Sequence, residues 1–429
     1  MNDATDYRPM WSALGLDLPK HDALLEVLGQ AYTDTFLSQP NRPAGMGYFD
    51  FVMSEVHGLR IKELVDARAA GRIVVGSFCV FVPEELILAV DGVGVGLCAG
   101  ADFGTEHAER YLPRNTCALI KSFFGFSLEK VCPYLESCDL IVGENTCDGK
   151  KKAYEIFRDL TRAEFMALDM PNTKSGEGRS ILQASYRDLA AALERVSGRT
   201  ITAVSLQAGI ETANRKRAAL HRLAGLRRAN PAPISGLDAL LINQVSFYDD
   251  PVRFTASVEK LCDELEERIA ARTGVAAADT PRLVISGCPM AVPNWKLPAI
   301  VESAGAVIVG EESCIGARGT QNLVCAEGDT VDDLVGNLVD RYFGIDCAVF
   351  TPNPTRAEHA RGIADATGAD GIIHYALQFC TPYQMEAPLL ERRVEAAGTP
   401  VLRIDTDYSQ EDVGQLRTRV EAFVEQIRS

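Results

Sequence analysis

The 429-residue chain has no cysteine pair spaced C-x-x-C, no H-E-x-x-H and no apolar run long enough to span a bilayer. The first absence sets aside a zinc ribbon, a thioredoxin-type site and a ferredoxin-like ligand run. The second, with only six scattered histidines, sets aside a zincin-type metalloprotease. The third argues against a transmembrane helix. Basic charge is also short: 43 Lys and Arg stand against 59 Asp and Glu, a net charge of −16. That balance disfavours nucleic acid or an anionic membrane as a partner. The opening MNDATDYRPMW lacks the basic-then-apolar pattern of a signal peptide, so a cytoplasmic protein is expected.

Nucleotide motifs are missing as well. GVGLCA (Gly94–Ala99) has the outline of a dinucleotide fingerprint, but its glycines fall inside a strand and Asn115 stands near the acidic position. GENTCDGKK (Gly143–Lys151) spaces its glycines one residue too far apart for a P-loop and puts Lys151 where Ser or Thr should hold magnesium. Any use of ATP therefore belongs to a partner.

What the chain does have is cysteine, twelve of them. A reducing compartment keeps such thiols out of disulfides, which leaves metal ligation or redox chemistry for at least some. The pattern around them is α/β. Residues 1–70 read as a helical extension, amphipathic over Asp22–Phe36 and Asp50–Ala69 with Pro40–Gly47 between. Residues 71–171 alternate short apolar strands (Ile73–Phe78, Val93–Leu97, Leu140–Val142, Phe165–Leu168) with helices. Residues 172–280 read as a helical bridge through Ser180–Ser197, Thr202–Ala229 and Val252–Thr273, broken at Asn230–Gly236. Its basic residues (Arg215, Lys216, Arg217, Arg222, Arg227, Arg228) are expected to form a solvated face, with a docking face as the alternative. A second α/β unit fills residues 281–429, with strands at Arg282–Ser286, Ala306–Val309, Cys347–Phe350, Gly371–His374 and Val401–Ile404. The expected fold is thus two Rossmann-like parallel-sheet domains joined by a helical segment.

Cysteines follow strands in both units: Cys79, Cys98 and Cys147 in the first, Cys288, Cys314 and Cys380 in the second. Ligands of open α/β sheets bind at that edge. Cys117 and Cys147 each precede a helix, where the dipole favours thiolate, and Gly149 lets backbone N–H groups approach a bound anion or cluster sulfur. Cys262 lies on an apolar helix face, Cys138 before a strand, and Cys325 in a stretch with no evident site. Cys79, Cys132 and Cys288 read equally as cleft residues or small hydrophobes. The remaining thiols are Cys98, Cys117, Cys147, Cys314, Cys347 and Cys380. Single cysteines gathered from strand ends can hold an iron–sulfur cluster, which needs thiolates rather than close spacing. The choices between Cys79 and Cys98, and between Cys314 and Cys325, stay open at this level.

LPRNTCALIKSFFGF, CPYLESCDLIVGENTCDGKKKAYE, VGEESCIGAR and QFCTPYQMEA resemble the 2-hydroxyacyl-CoA dehydratase and benzoyl-CoA reductase family. GSFCVFVPEEL and DTDYSQEDVGQLRTRVEAF bring the chain nearest to its double-cubane cluster proteins. The resemblance runs from about Gly71 to the C-terminus. It implies two α/β domains and, in the dehydratases, a [4Fe–4S] cluster on three cysteines matching Cys117, Cys147 and Cys380. In the double-cubane branch it implies an [8Fe–9S] unit on six cysteines, the others matching Cys98, Cys314 and Cys347. It further implies a homodimer, oxygen-free working conditions, and a separate ATP-hydrolysing iron–sulfur activator that supplies low-potential electrons. The expected activity is reduction of a small molecule; the alternatives are a [4Fe–4S] dehydratase subunit acting as a lyase, a cluster scaffold, and a cluster-free α/β protein. Glu144, Glu311, Glu312, His374 and Tyr383 are candidates for proton delivery by position.

Overall fold

The computed structural model describes residues 5–428; the first four residues of the N-terminal extension, and with them part of the stretch read for a signal peptide, lie outside it, as does Ser429. Two four-stranded parallel sheets organise the chain. In the first, β1 (Val74–Ser77), β2 (Val93–Gly96), β3 (Leu140–Glu144) and β4 (Glu164–Leu168) lie in the order β2-β1-β3-β4. In the second, β5 (Arg282–Gly287), β6 (Val307–Glu312), β7 (Gly371–Leu377) and β8 (Val401–Thr406) repeat it as β6-β5-β7-β8. The chain starts each sheet near the middle, steps outward, then crosses back, so the switch point falls between β1 and β3 and again between β5 and β7. β3, β5, β6 and β7 are buried along their whole length, as parallel strands covered on both faces must be, which is why they read as mostly apolar runs.

Two local expectations are corrected. Cys347–Phe350 is no strand but a turn after the helix Val331–Phe343. Its apolar side chains leave the second sheet: Phe350, Leu334, Leu338 and Tyr342 pack in one core with Val75, Leu140 and Val142 of the first. Asp50–Ala69 is not one helix but two, Met46–Ser54 and Leu59–Ala69, because the chain turns at Gly58. A Cβ there would stand 2.5 Å from the Tyr7 ring, while Glu55 accepts from the Tyr7 hydroxyl (2.8 Å) and from the Leu59 N–H (2.9 Å). Asp22–Phe36 is helical as Leu18–Tyr32 followed by a π-helical turn, Thr33–Leu37.

The stretch between the sheets folds as helices Gly176–Ser197, Ala203–Leu226, Gly236–Val245 and Pro251–Ala270. Each begins on a capping side chain, Ser175, Thr202, Ser235 or Asp250. Their basic residues are mostly turned onto carboxylates, contrary to a free solvated or docking face. Arg217 is buried against Glu85 (2.7 Å), Arg227 against Glu311 (2.5 Å), Arg222 meets Asp263 and Glu266, and Lys216 meets Glu84. Only Arg215 and Arg228 of that group are exposed.

The loops at the C-terminal ends of the two sheets are stitched together by backbone. Gly100 N–H donates to Val292 C=O (2.9 Å), Ala118 to Gln378 (3.3 Å) and Thr351 to Asn172 (2.8 Å). The first contact requires glycine: a Cβ on Gly100 would lie 2.1 Å from the Ala291 carbonyl oxygen. Among the described residues no helix is long and apolar enough to cross a membrane.

Candidate functional site

Where the two sets of strand ends meet, they enclose a cavity of about 930 Å³. Cys79, Cys98 and Cys147 reach it from just past β1, β2 and β3, and Cys288, Cys314 and Cys380 from just past β5, β6 and β7. Cys117 stands at the N-cap position of the helix Ala118–Leu128 in the β2–β3 connection, and Cys347 lies in the β6–β7 connection. The six thiols selected from the sequence therefore line one cavity, in the company of Cys79 and Cys288. The signal that could have promoted those two was already present, since each follows the first strand of its sheet. Cys132, Cys138, Cys262 and Cys325 do not line the cavity. All these cysteines are free thiols.

Two of the sulfur contacts cross the cleft and a third lies within the second half. Cys79 interacts with Cys314, and Cys117 with Cys380, which in turn touches Cys288. Cys147 caps the helix Asp148–Phe157 and accepts from the Lys150 N–H at 3.5 Å. Cys98 is turned differently: its thiol donates to the Phe78 carbonyl at 2.8 Å. Both Cys117 and Cys147 occupy the helix-start positions expected of them. Their thiols are nonetheless raised, Cys117 by its contact with Cys380 and by burial, Cys147 by burial against the pull of the Lys150 N–H. At Cys147 desolvation outweighs the helix start, and at Cys117 the Cys380 contact does so together with burial. Burial pushes Cys98 up to about 12. Cys314 is drawn the other way, to about 6, by the Cys79 contact and the Arg318 charge working against burial.

Buried charges stand behind the wall. Lys150 pairs with Glu144, and Arg318 with Glu312, with all four side chains nearly or wholly removed from solvent. Lys151 and Lys152 are exposed at the rim, with Met385, Leu389 and Arg393. Of the groups considered for proton delivery, Tyr383 alone lines the cavity. Glu144 and Glu312 serve the buried cations, Glu311 holds Arg227, and His374 is a core residue on β7 whose Nε2 faces the Tyr383 carbonyl at 3.3 Å. Burial holds His374 neutral, down to about 3.

Among the described residues no three His, Cys, Asp or Glu converge on a point fit for a single metal ion. The donor set is instead a ring of free thiols spread around a wide cavity and touching in cross-cleft pairs. Soft sulfur ligands so dispersed suit a polynuclear iron–sulfur group better than a lone cation.

Twin parallel sheets opening onto one thiol-lined cleft define a two-sheet α/β protein with its site at the shared strand ends. The chain belongs to the family described as 2-hydroxyglutaryl-CoA dehydratase, D-component, whose model matches residues 79–427. It is 35% identical over 381 residues to a putative dehydratase subunit, YjiM, of Escherichia coli K12, covering 87% of this chain and 96% of that one. It is 25% identical to the (R)-phenyllactyl-CoA dehydratase beta subunit of Clostridium sporogenes (83% and 92% covered). It is 23% identical to a subunit of the benzoyl-CoA reductase of Thauera aromatica (83% and 91% covered). The family resemblance carried by LPRNTC and ENTCDGKKK is thereby confirmed, and these relatives are named as enzyme subunits.

Proposed function

We propose that the cavity holds an [8Fe–9S] double cubane, that low-potential electrons reach it from an ATP-hydrolysing iron–sulfur activator, and that the chain reduces a small molecule there as a cytoplasmic homodimer. The observation that carries this reading is the number and pairing of the thiols. Dehydratase-type ligation of one cubane needs three cysteines, yet eight line this cavity and contacts form at two separate places. On this reading Cys117, Cys147 and Cys380 hold one cubane, with Cys314 and Cys347 on the other. For the sixth position the contact with Cys314 favours Cys79 over Cys98, whose thiol is turned to the Phe78 carbonyl. The domain limits follow the same plan, with 71–171 and 281–429 each presenting strand-end cysteines, 172–280 bridging them and 1–70 packed outside.

The bound group supplies one-electron storage at low potential. The chain supplies the setting. Phe78, Ile120, Ile156 and Leu377 give the cavity apolar walls that exclude water. Lys150 and Arg318 place fixed positive charge behind the sulfurs, and the N–H of Lys150 donates to Cys147. The Tyr383 hydroxyl, on the cavity wall, is placed to give a proton to a substrate taking up electrons.

The second reading is a [4Fe–4S] subunit of a 2-hydroxyacyl-CoA dehydratase, favoured by the dehydratase names among the relatives. Iron and acid-labile sulfide, counted on protein purified without oxygen, separate the two. About eight iron and about nine sulfide per chain are expected for the double cubane, and about four of each for the single cluster. Cys79→Ala is expected to lower the iron count and Cys98→Ala to leave it. No iron in the anaerobic protein sinks both readings.

A further inference from the structure

The polar groups around the cavity are not shared evenly between its two sets of thiols. Cys117, Cys147 and Cys380 are only partly buried, and their sulfurs meet other thiols and backbone N–H groups. Cys314 and Cys347 are buried, and each faces a side-chain donor. Arg318, with no exposed surface, places Nη1 3.5 Å from the Cys314 Sγ. The Tyr383 hydroxyl lies 3.7 Å from the Cys347 Sγ. Nη1 of Arg318 also donates to the Tyr383 oxygen. That hydrogen bond leaves the tyrosine's own hydrogen to point away from the guanidinium, towards Cys347 or the cavity.

The pair is held in place from behind. Glu312 accepts from Arg318 Nε (2.9 Å) and Nη2 (2.6 Å), and is itself fixed by the Ser286 hydroxyl (2.6 Å) and Arg356 (3.2 Å). The Tyr383 ring has two guanidiniums over it, Arg318 at 5.3 Å and Arg356 at 4.9 Å from its centroid. Arg356 reaches outward to Glu386 at the cavity rim. A guanidinium does not give up its proton in proteins, so the charge beside Cys314 is permanent.

We propose that Arg318 and Tyr383 form a sulfur-facing donor pair that makes the buried Cys314–Cys347 side the better electron acceptor, so that an incoming electron settles there. This rests on the cluster reading above. The step is a one-electron transfer: the donor, a low-potential iron–sulfur protein, is oxidised by one electron and the cluster gains it, with no bond made or broken. The added charge spreads onto the thiolate sulfurs, where N–H and O–H donors stabilise it and raise the reduction potential. The low dielectric of a buried site strengthens that effect. The more accessible Cys117–Cys147–Cys380 side, whose sulfurs meet backbone N–H groups and other thiols rather than a guanidinium or a hydroxyl, becomes the entry. Arg318 acts here as a positioning and tuning residue through sulfur.

The test is a redox titration followed by EPR, with iron counted on each anaerobically prepared sample. Tyr383→Phe keeps the ring and loses the hydroxyl; it is expected to disfavour reduction about tenfold, a midpoint ~59 mV more negative for one electron. Arg318→Gln is expected to move the midpoint further in the same direction, and Arg318→Lys to recover part of it. Lys151→Gln, at the exposed rim, is expected to leave it in place. An unmoved midpoint in Tyr383→Phe at undiminished iron content overturns the proposal, and that variant decides the matter even where Arg318→Gln does not fold. A shift of equal size in Lys151→Gln overturns it too, by showing only a general charge effect. No iron in the unmodified chain instead overturns the cluster reading beneath it.

Discussion

Replacing Lys150 by methionine is expected to cost this chain several kcal/mol, although the two side chains have similar length. Lys150 follows Cys147 on the first turn of the helix Asp148–Phe157, and its ammonium pairs with Glu144 at the end of β3. The carboxylate is wholly buried and the ammonium nearly so. Apart from Lys150, Glu144 has the Tyr154 hydroxyl at 3.3 Å on Oε1, while Oε2 has no partner. Lys150→Met therefore strands a buried carboxylate on one neutral donor, and breaking such a pair from one side costs about 3–5 kcal/mol. Glu144→Gln strands the ammonium and is expected to cost a similar amount. The double variant removes both charges, leaves an amide near an apolar chain, and should recover a coupling energy of about 1–3 kcal/mol. Burial pulls the Lys150 ammonium down, but Glu144 and Tyr154 outweigh it and hold it above its ordinary 10.5. A raised cation keeps its full contribution below its unfolded value and loses it only as pH climbs through the folded one. The loss in Lys150→Met should accordingly be constant from pH 6 to 9. Urea unfolding of the metal-free chain, followed by circular dichroism, gives the four midpoints of the cycle. A Lys150→Met loss below about 1 kcal/mol, or a double variant equal to the sum of the singles, refutes the reasoning.

Two further outcomes follow from the same structure. Gly100→Ala forces a Cβ to 2.1 Å from the Ala291 carbonyl and should destabilise the chain by about 1–3 kcal/mol, read as a lowered denaturant midpoint, because backbone joins the two halves there. His21, wholly buried with its Nε2 2.9 Å from Nδ1 of His57, is lowered to about 4 by burial, partly offset by Asp22. A depressed histidine loses stability as pH falls from 6.5 towards the folded value, at about 1.4 kcal/mol per unit, or roughly 3 kcal/mol in all. The Trp11 ring, 4.4 Å from His21, should report that limb by fluorescence; because burial lowers His57 to about 3 over the same window, His21→Asn should make the limb shallower rather than abolish it, and an unchanged slope disproves the assignment.

The parts legible in the sequence are those where one residue's surroundings are set by its own neighbours. LIVGE, RLVISG and GIIHYAL announce strands because parallel sheets bury both faces, so each strand is mostly apolar and buried without a break. The cysteines just beyond them inherit a position from the topology, and the repeated strand order makes Cys79 answer to Cys288, Cys98 to Cys314 and Cys147 to Cys380. What stayed hidden was set by the opposite half of the molecule. Cys347–Phe350 carries the apolar pattern of a strand, but its hydrophobes pack with Val75 and Val142, far away in sequence. The basic residues of Ala203–Leu226 look like a solvated stripe until Glu84 and Glu85 are brought against them. The same reason explains the thiols. Sequence order groups them by sheet, whereas the contacts run from Cys79 to Cys314 and from Cys117 to Cys380, across the cleft. A cluster held by those cross-cleft sets would bind the two halves to each other, so its assembly should depend on the closed arrangement that Gly100 and Ala118 secure by backbone hydrogen bonds. On that proposed reading the two sheets are two jaws of one site, and each cubane would draw its thiols from both.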